Sequence, residues 1–176
     1  MARRTTPRRI WAYRSIYLGI GLAVIFFRIL PLDARTPGLP GPDIILSVTF
    51  AWVLRQPAAA PVAAILFLFL LSDFLLQRPV GLWTLLTLMA VTSLQNRRAT
   101  LAEAPFLLEM AVVSGAILAM ILAERVILWV LLTDQPSLGL VLMEGLATIV
   151  IYPIVVFVSK FLLGMDMLPF VDREAG

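Results

Sequence analysis

The chain has 176 residues and a formal charge of +3, is 61% hydrophobic, and contains neither Cys nor His. Its mean hydropathy of +0.97 is more than a soluble core of this length needs, so lipid is expected to serve as its solvent. The composition excludes disulfides, thiol nucleophiles, imidazole bases and ordinary zinc sites, and the length leaves no room for a further soluble domain.

Five arginines (Arg3, Arg4, Arg8, Arg9 and Arg14) precede the first apolar stretch and predict that this end stays in the cytoplasm. An Arg-rich start followed by Ile16 to Phe27 also resembles a secretory signal. No small-residue cleavage site follows, and the chain continues through Arg28, Ile29, Leu30 and Pro31, so the stretch reads as a permanent span. Trp11, Tyr13 and Tyr17 beside it read as interfacial anchors.

Apolar spans are predicted at 15–32, 43–55, 57–77, 79–95, 105–133 and 138–163. The second is short. Eleven uncharged residues, 44–54, rise only about 17 Å as a helix, against a hydrocarbon core of about 30 Å, and re-entry is the alternative. Positive charge decides between the two arrangements. With six crossings, Arg3, Arg4, Arg8, Arg9, Arg14, Arg55, Arg97, Arg98, Lys160 and Arg173 lie inside. Only Arg28, Arg35 and Arg78 then lie outside, and Arg125 stays in the membrane. Removing the short crossing turns that ten-to-three ratio into six inside and seven outside. The expectation is therefore an all-α bundle of six membrane helices with both termini cytoplasmic. A basic segment (1–14) would precede the transmembrane domain (15–164), and a short tail (165–176) would follow it.

The connections are short. Thr36 to Pro42 is a stiff Pro/Gly segment. Pro57 and Pro79 are expected just inside helix starts, Gln95 to Ala104 as the main cytoplasmic loop, and Asp134 to Ser137 as the last external turn. Trp83 reads as an anchor near the outside. Thr84, Thr87 and Thr92 are expected to bond carbonyls one turn back, and Tyr152-Pro153 predicts a kink in the last span.

Charged groups inside a bilayer are costly and face protein or water. On the six-span topology Arg28, Asp43, Asp73, Glu124, Arg125 and Glu144 gather near the outer ends of their helices. They form either a set of ion pairs that specifies helix packing or a recognition surface open to the outside. Glu124 and Arg125 point about 100° apart on a helix, which favours a network over a single pair. A second signal is the row Ala111, Gly115, Ala119 and Ala123, a groove of small side chains that lets another helix approach closely. That helix is either a neighbour in the bundle or a partner's. Gly19 and Ala23 form a shorter version in the first span.

The stretch Pro42-Asp43-Ile44-Ile45-Leu46, running through Trp52 to Arg55-Gln56-Pro57, resembles the rod shape-determining protein MreD family. So does Leu71-Ser72-Asp73-Phe74 followed by Arg78-Pro79-Val80-Gly81-Leu82, and the late Tyr152-Pro153 span, the length and the basic start are also similar. The resemblance implies a bacterial inner-membrane component of the cell-elongation machinery, without catalytic activity, cofactor or nucleic-acid partner. It implies direct binding to the bitopic protein MreC. It also implies indirect association with the filament MreB and with the glycan polymerase RodA and its transpeptidase, and leaves a homodimer open. The implied fold is similar to the six-helix substrate-binding subunits of energy-coupling-factor transporters, whose ligand sits near the outer surface.

Two other functions compete with a scaffold. A small-molecule-binding transporter subunit fits the outer cup, although one Asn and four Gln are few polar side chains for a vitamin pocket. An intramembrane aspartyl enzyme would need Asp43 and Asp73 to share a proton, and its usual Asn-rich surroundings are missing.

Overall fold

The structure, a computed structural model, describes residues 7–30, 41–132 and 137–163. Seven helices carry them: α1 (Pro7–Ile29), α2 (Ile44–Arg55), α3 (Val62–Leu75), α4 (Leu82–Asn96), α5 (Arg98–Glu103), α6 (Phe106–Val130) and α7 (Leu138–Leu163). A 3₁₀ turn at Pro57–Ala59 links α2 to α3, and no strand occurs among the described residues. Three stretches, Ile10–Ile29, Phe106–Val130 and Leu138–Phe161, are long and apolar enough to cross a membrane. The shorter α2 and α3, of 12 and 14 residues, are also apolar and rise roughly 18–21 Å. Phe26, Phe67, Phe74, Leu107, Leu122, Trp129, Val150, Phe157 and Phe161 are all more than half exposed. An apolar surface this extensive suits a hydrocarbon solvent better than water.

The shortest of the predicted spans lies at the centre. Every side chain of α2 from Ile45 to Arg55 is buried. It packs against α7, α4, α1 and the 3₁₀ turn, while α6 packs against α7 and α4, and α3 against α4 and α1. Local chemistry sets both ends of α2. Asp43 accepts the Leu46 N–H at 3.1 Å, an N-cap that satisfies one orphan donor. At the other end Arg98 donates from Nε to the Leu54 carbonyl (2.7 Å) and from a terminal nitrogen to the Arg55 carbonyl (3.2 Å). Pro57 then forbids continuation.

Several expected boundaries shift. Pro57 opens only the 3₁₀ turn, and α3 starts at Val62 behind a second proline, Pro61. Pro79 precedes rather than starts α4, because Gly81 occupies the cap position with φ +88°, a left-handed conformation that glycine adopts without strain. The expected loop over 95–104 is mostly helix, as the end of α4 followed by α5. Pro153 lies inside α7, which continues to Leu163. Of the expected anchors only Trp11 is exposed; Tyr13, Tyr17 and Trp83 are buried and take part in the packing. Residues 1–6, the Pro/Gly segment over 36–40, the turn over 134–136 and the tail from 165 lie outside the described residues.

The small residues of α1 act on a different face from the one expected. Gly19 and Ala23 are exposed, whereas a Cβ at Gly21 would collide with the buried Leu68 side chain of α3. Gly21→Val should therefore lower the unfolding temperature in detergent, with overpacking costing about 1–3 kcal/mol, while Gly19→Val should leave it unchanged. Equal effects at the two positions would contradict this packing.

Candidate functional site: a polar cup and a buried ion pair at opposite ends of α2

At the Asp43 end of α2, side chains from four helices and one loop surround a cavity of about 520 Å³. Asp43, Gln77, Arg78, Trp83, Glu124, Arg125, Glu144 and Thr148 supply its polar lining, and Leu46, Ile117, Ile121, Leu128 and Val141 its apolar walls. Glu144 is the hub of the rim. Its Oε1 accepts from Arg28 at 3.2 Å and from Arg78 at 3.3 Å, joining α1, the α3–α4 loop and α7. Arg28 also donates to the Pro42 carbonyl at 3.0 Å, tying the entry to α2 against α1. Arg78 lies over the Trp83 ring, 5.4 Å from its centroid.

Below the rim the bonds interlock. Trp83 donates its indole N–H to Asp43 Oδ2 at 3.3 Å. The Asp43 backbone N–H donates to Thr148 Oγ1 at 2.8 Å, and that hydroxyl in turn donates to the Glu144 carbonyl at 2.7 Å. Asp43 therefore caps α2 while holding α4 and α7 in register. Asp73 does the same for α4. Its Oδ2 accepts from Gly81 N–H (3.0 Å), Thr84 N–H (3.2 Å) and Thr84 Oγ1 (2.8 Å). Asp73 Oδ1 is buried without a hydrogen-bond partner among the described residues.

Five of the six residues expected at an outer cluster thus meet at one end of the bundle: Arg28 and Glu144 on the rim, and Asp43, Glu124 and Arg125 around the cavity. Asp73 stands behind them as the cap of α4. Arg78, read from sequence as a topology charge and as part of the resemblance but not as a member of the cluster, belongs to the set; the signal was a cation at the same end of the predicted spans as the four acids. Asp43 and Asp73 serve separate helix starts. The threonine expectation holds for Thr92, which donates to the Leu88 carbonyl at 2.8 Å. It fails for Thr84, which turns to Asp73, and for Thr87, whose hydroxyl has no partner among the described residues.

The opposite end of α2 carries a site that the sequence reading missed. Arg55 and Glu109 are both buried and form a two-pronged pair, with NH1 to Oε1 at 2.9 Å and NH2 to Oε2 at 3.0 Å. Tyr152 of α7 donates a short hydrogen bond to the same Oε1. Helices α2, α6 and α7 are locked together there. Nearby, Trp52 donates from its indole N–H to Ser159 Oγ at 3.0 Å. The missed signal was an acid in the first turn of a long apolar helix, Phe106-Leu107-Leu108-Glu109-Met110.

The predicted small-residue row lies on the outside. Ala111, Gly115 and Ala119 are exposed, Ala123 is half-buried, and a Cβ at Gly115 would meet nothing within 4 Å. Of the row only Ala123 packs against the core, so its first three members take no part in packing among the described residues. The close approach of α6 to α7 occurs instead at Gly145, where a Cβ would collide with Ile121. Among the described residues, no group of acidic side chains is arranged to hold a metal ion.

No protein-family model, curated protein or solved structure matches the chain.

Removing one member of a buried ion pair strands the other charge. Glu109→Ala should cost about 3–5 kcal/mol of stability, and the double variant Arg55→Met with Glu109→Leu should recover most of it. Unfolding in detergent measures both. A double variant as unstable as the single one would show that the pair does not act as described.

Proposed function

We propose that the chain is a non-catalytic inner-membrane scaffold of the bacterial cell-elongation machinery, of the MreD kind, which binds MreC and helps to maintain rod shape. In this reading it crosses the membrane six times with both termini in the cytoplasm, so the cup faces outward and the Arg55–Glu109 pair lies toward the cytoplasm. The charge asymmetry of the loops and the sequence resemblance support that orientation.

One observation carries the scaffold reading. The bundle leaves the Ala111, Gly115 and Ala119 face of α6 uncovered. In lipid, helices associate through close backbone approach and dispersion rather than by hydrophobic driving force. A smooth face of small side chains on the outside therefore suits a helix from another chain, and the transmembrane helix of MreC is the proposed occupant. MreB, RodA and its transpeptidase would be reached through MreC.

The cavity favours a second reading, a small-molecule-binding subunit of an energy-coupling-factor-type transporter. Its volume of about 520 Å³ is in the usual range for small-ligand sites. Ligand-dependent stabilisation together with copurifying ATPase subunits would favour this reading over the scaffold.

Gly115→Leu fills the exposed groove without touching the core. It should reduce copurification of MreC by about tenfold or more, while expression and unfolding temperature stay normal. Undiminished MreC retention by this variant would remove the mechanism. If MreC is retained and crosslinking between two copies of the chain is lost instead, the groove serves self-association.

A further inference from the structure

The charges of the cavity are unequally committed. Three carboxylates, Asp43, Glu124 and Glu144, face two guanidiniums, Arg78 and Arg125. Glu144 is spent on Arg28 and Arg78, and Asp43 on the α2 cap and Trp83. Glu124 is different. It is half-buried on the cavity wall and makes neither a hydrogen bond nor an ion pair among the described residues. Arg78 and Arg125 act on Glu124 only through space, with no ion pair to either, so a cation in contact with it would answer a charge partly withdrawn from water.

The rest of the wall selects what carries the cation. Ile117, Ile121 and Leu128 follow the same α6 face as Glu124, with Leu46 of α2 and Val141 of α7 opposite. An apolar body seats against these side chains, and its charged head comes to rest at Glu124. We propose that the cavity binds an amphipathic molecule bearing a protonated amine, with Glu124 as its counter-ion. Arg78 and Arg125, which also line the cavity, disfavour a ligand with several positive charges, so a single ammonium group fits best. The proposal rests on the cavity alone and stands whether the chain is a scaffold or a transporter subunit.

The test uses full-length protein, delipidated and placed in phosphatidylglycerol nanodiscs. It is titrated by calorimetry with phenethylamine and with 2-phenylethanol, its uncharged isostere. Phenethylamine should bind saturably, and Glu124→Gln should weaken it by about tenfold or more, the scale of one charge-assisted hydrogen bond. The alcohol should bind wild-type and variant protein equally weakly. Leu128→Trp, which fills the cavity and leaves Glu124 in place, should also weaken amine binding. Absence of saturable amine binding to the wild type would overturn the proposal. So would equal affinity for the alcohol, or an amine affinity unchanged by both substitutions. Native mass spectrometry then separates two sources of the amine. Phosphatidylethanolamine retained by the wild type and displaced by phenethylamine identifies a lipid headgroup. Amine binding by protein that retains no such lipid identifies a free amine.

Discussion

Because α2 is buried from Ile45 to Arg55, its polar groups must be answered by other protein groups, with neither water nor lipid to help. The answers come from α1, α4, α6 and α7. Thr49 gives its single hydroxyl hydrogen to the Ile45 carbonyl at 2.6 Å, so Tyr17 of α1 must be the donor in their 2.8 Å bond. Trp52 is met by Ser159, Arg55 by Glu109, and Asp43 by Trp83 and Thr148. Each bond fixes the rotation of a surrounding helix about α2. Apolar contacts alone would leave that rotation loosely specified, since an apolar helix face is as content in lipid as against a neighbour.

The two ends of α2 then differ in character. At the Arg55 end, a two-pronged ion pair with a tyrosine on the same carboxylate is sealed within protein. Its direct effect is rigidity, because parting those groups would leave a charge stranded in a dry interior. At the Asp43 end, the charges open onto a cavity and are shared among rim partners at 3.2 and 3.3 Å. Partly exposed pairs of that kind contribute little stability and rearrange at small cost.

The long apolar helices α1, α6 and α7 were legible from the run of apolar residues, because a bilayer demands length and hydropathy and little else. The acidic cup was legible too, since Asp43, Glu124 and Glu144 are costly in lipid wherever they sit. Position within the bundle was harder to read. The mostly apolar sequence of α2 does not say that it is surrounded by protein, and a span that is apolar all round looks the same whether it is central or peripheral. Aromatic residues were misread for a related reason. Tyr17 and Trp83 suit an interface by composition, yet each finds a buried partner that only the three-dimensional arrangement supplies. Glu109 escaped notice because the charged residues were followed at the outer helix ends, whereas Glu109 lies in the first turn of α6, at the other end. The α4 boundary escaped because its cap, Asp73, comes from the preceding helix rather than from the adjacent residues.

The proposed orientation requires that α2 cross the membrane, with the cup and the ion pair facing opposite compartments. The Cys-free sequence allows a direct measurement. Single cysteines at Gly41, which is exposed beside the Asp43 cap, and at Ala99, exposed next to the Arg98 that closes the other end, are probed with a membrane-impermeant maleimide. The account predicts that Gly41→Cys is labelled in spheroplasts with an intact inner membrane, and Ala99→Cys only after that membrane is broken. Labelling of both positions from the same side would contradict it.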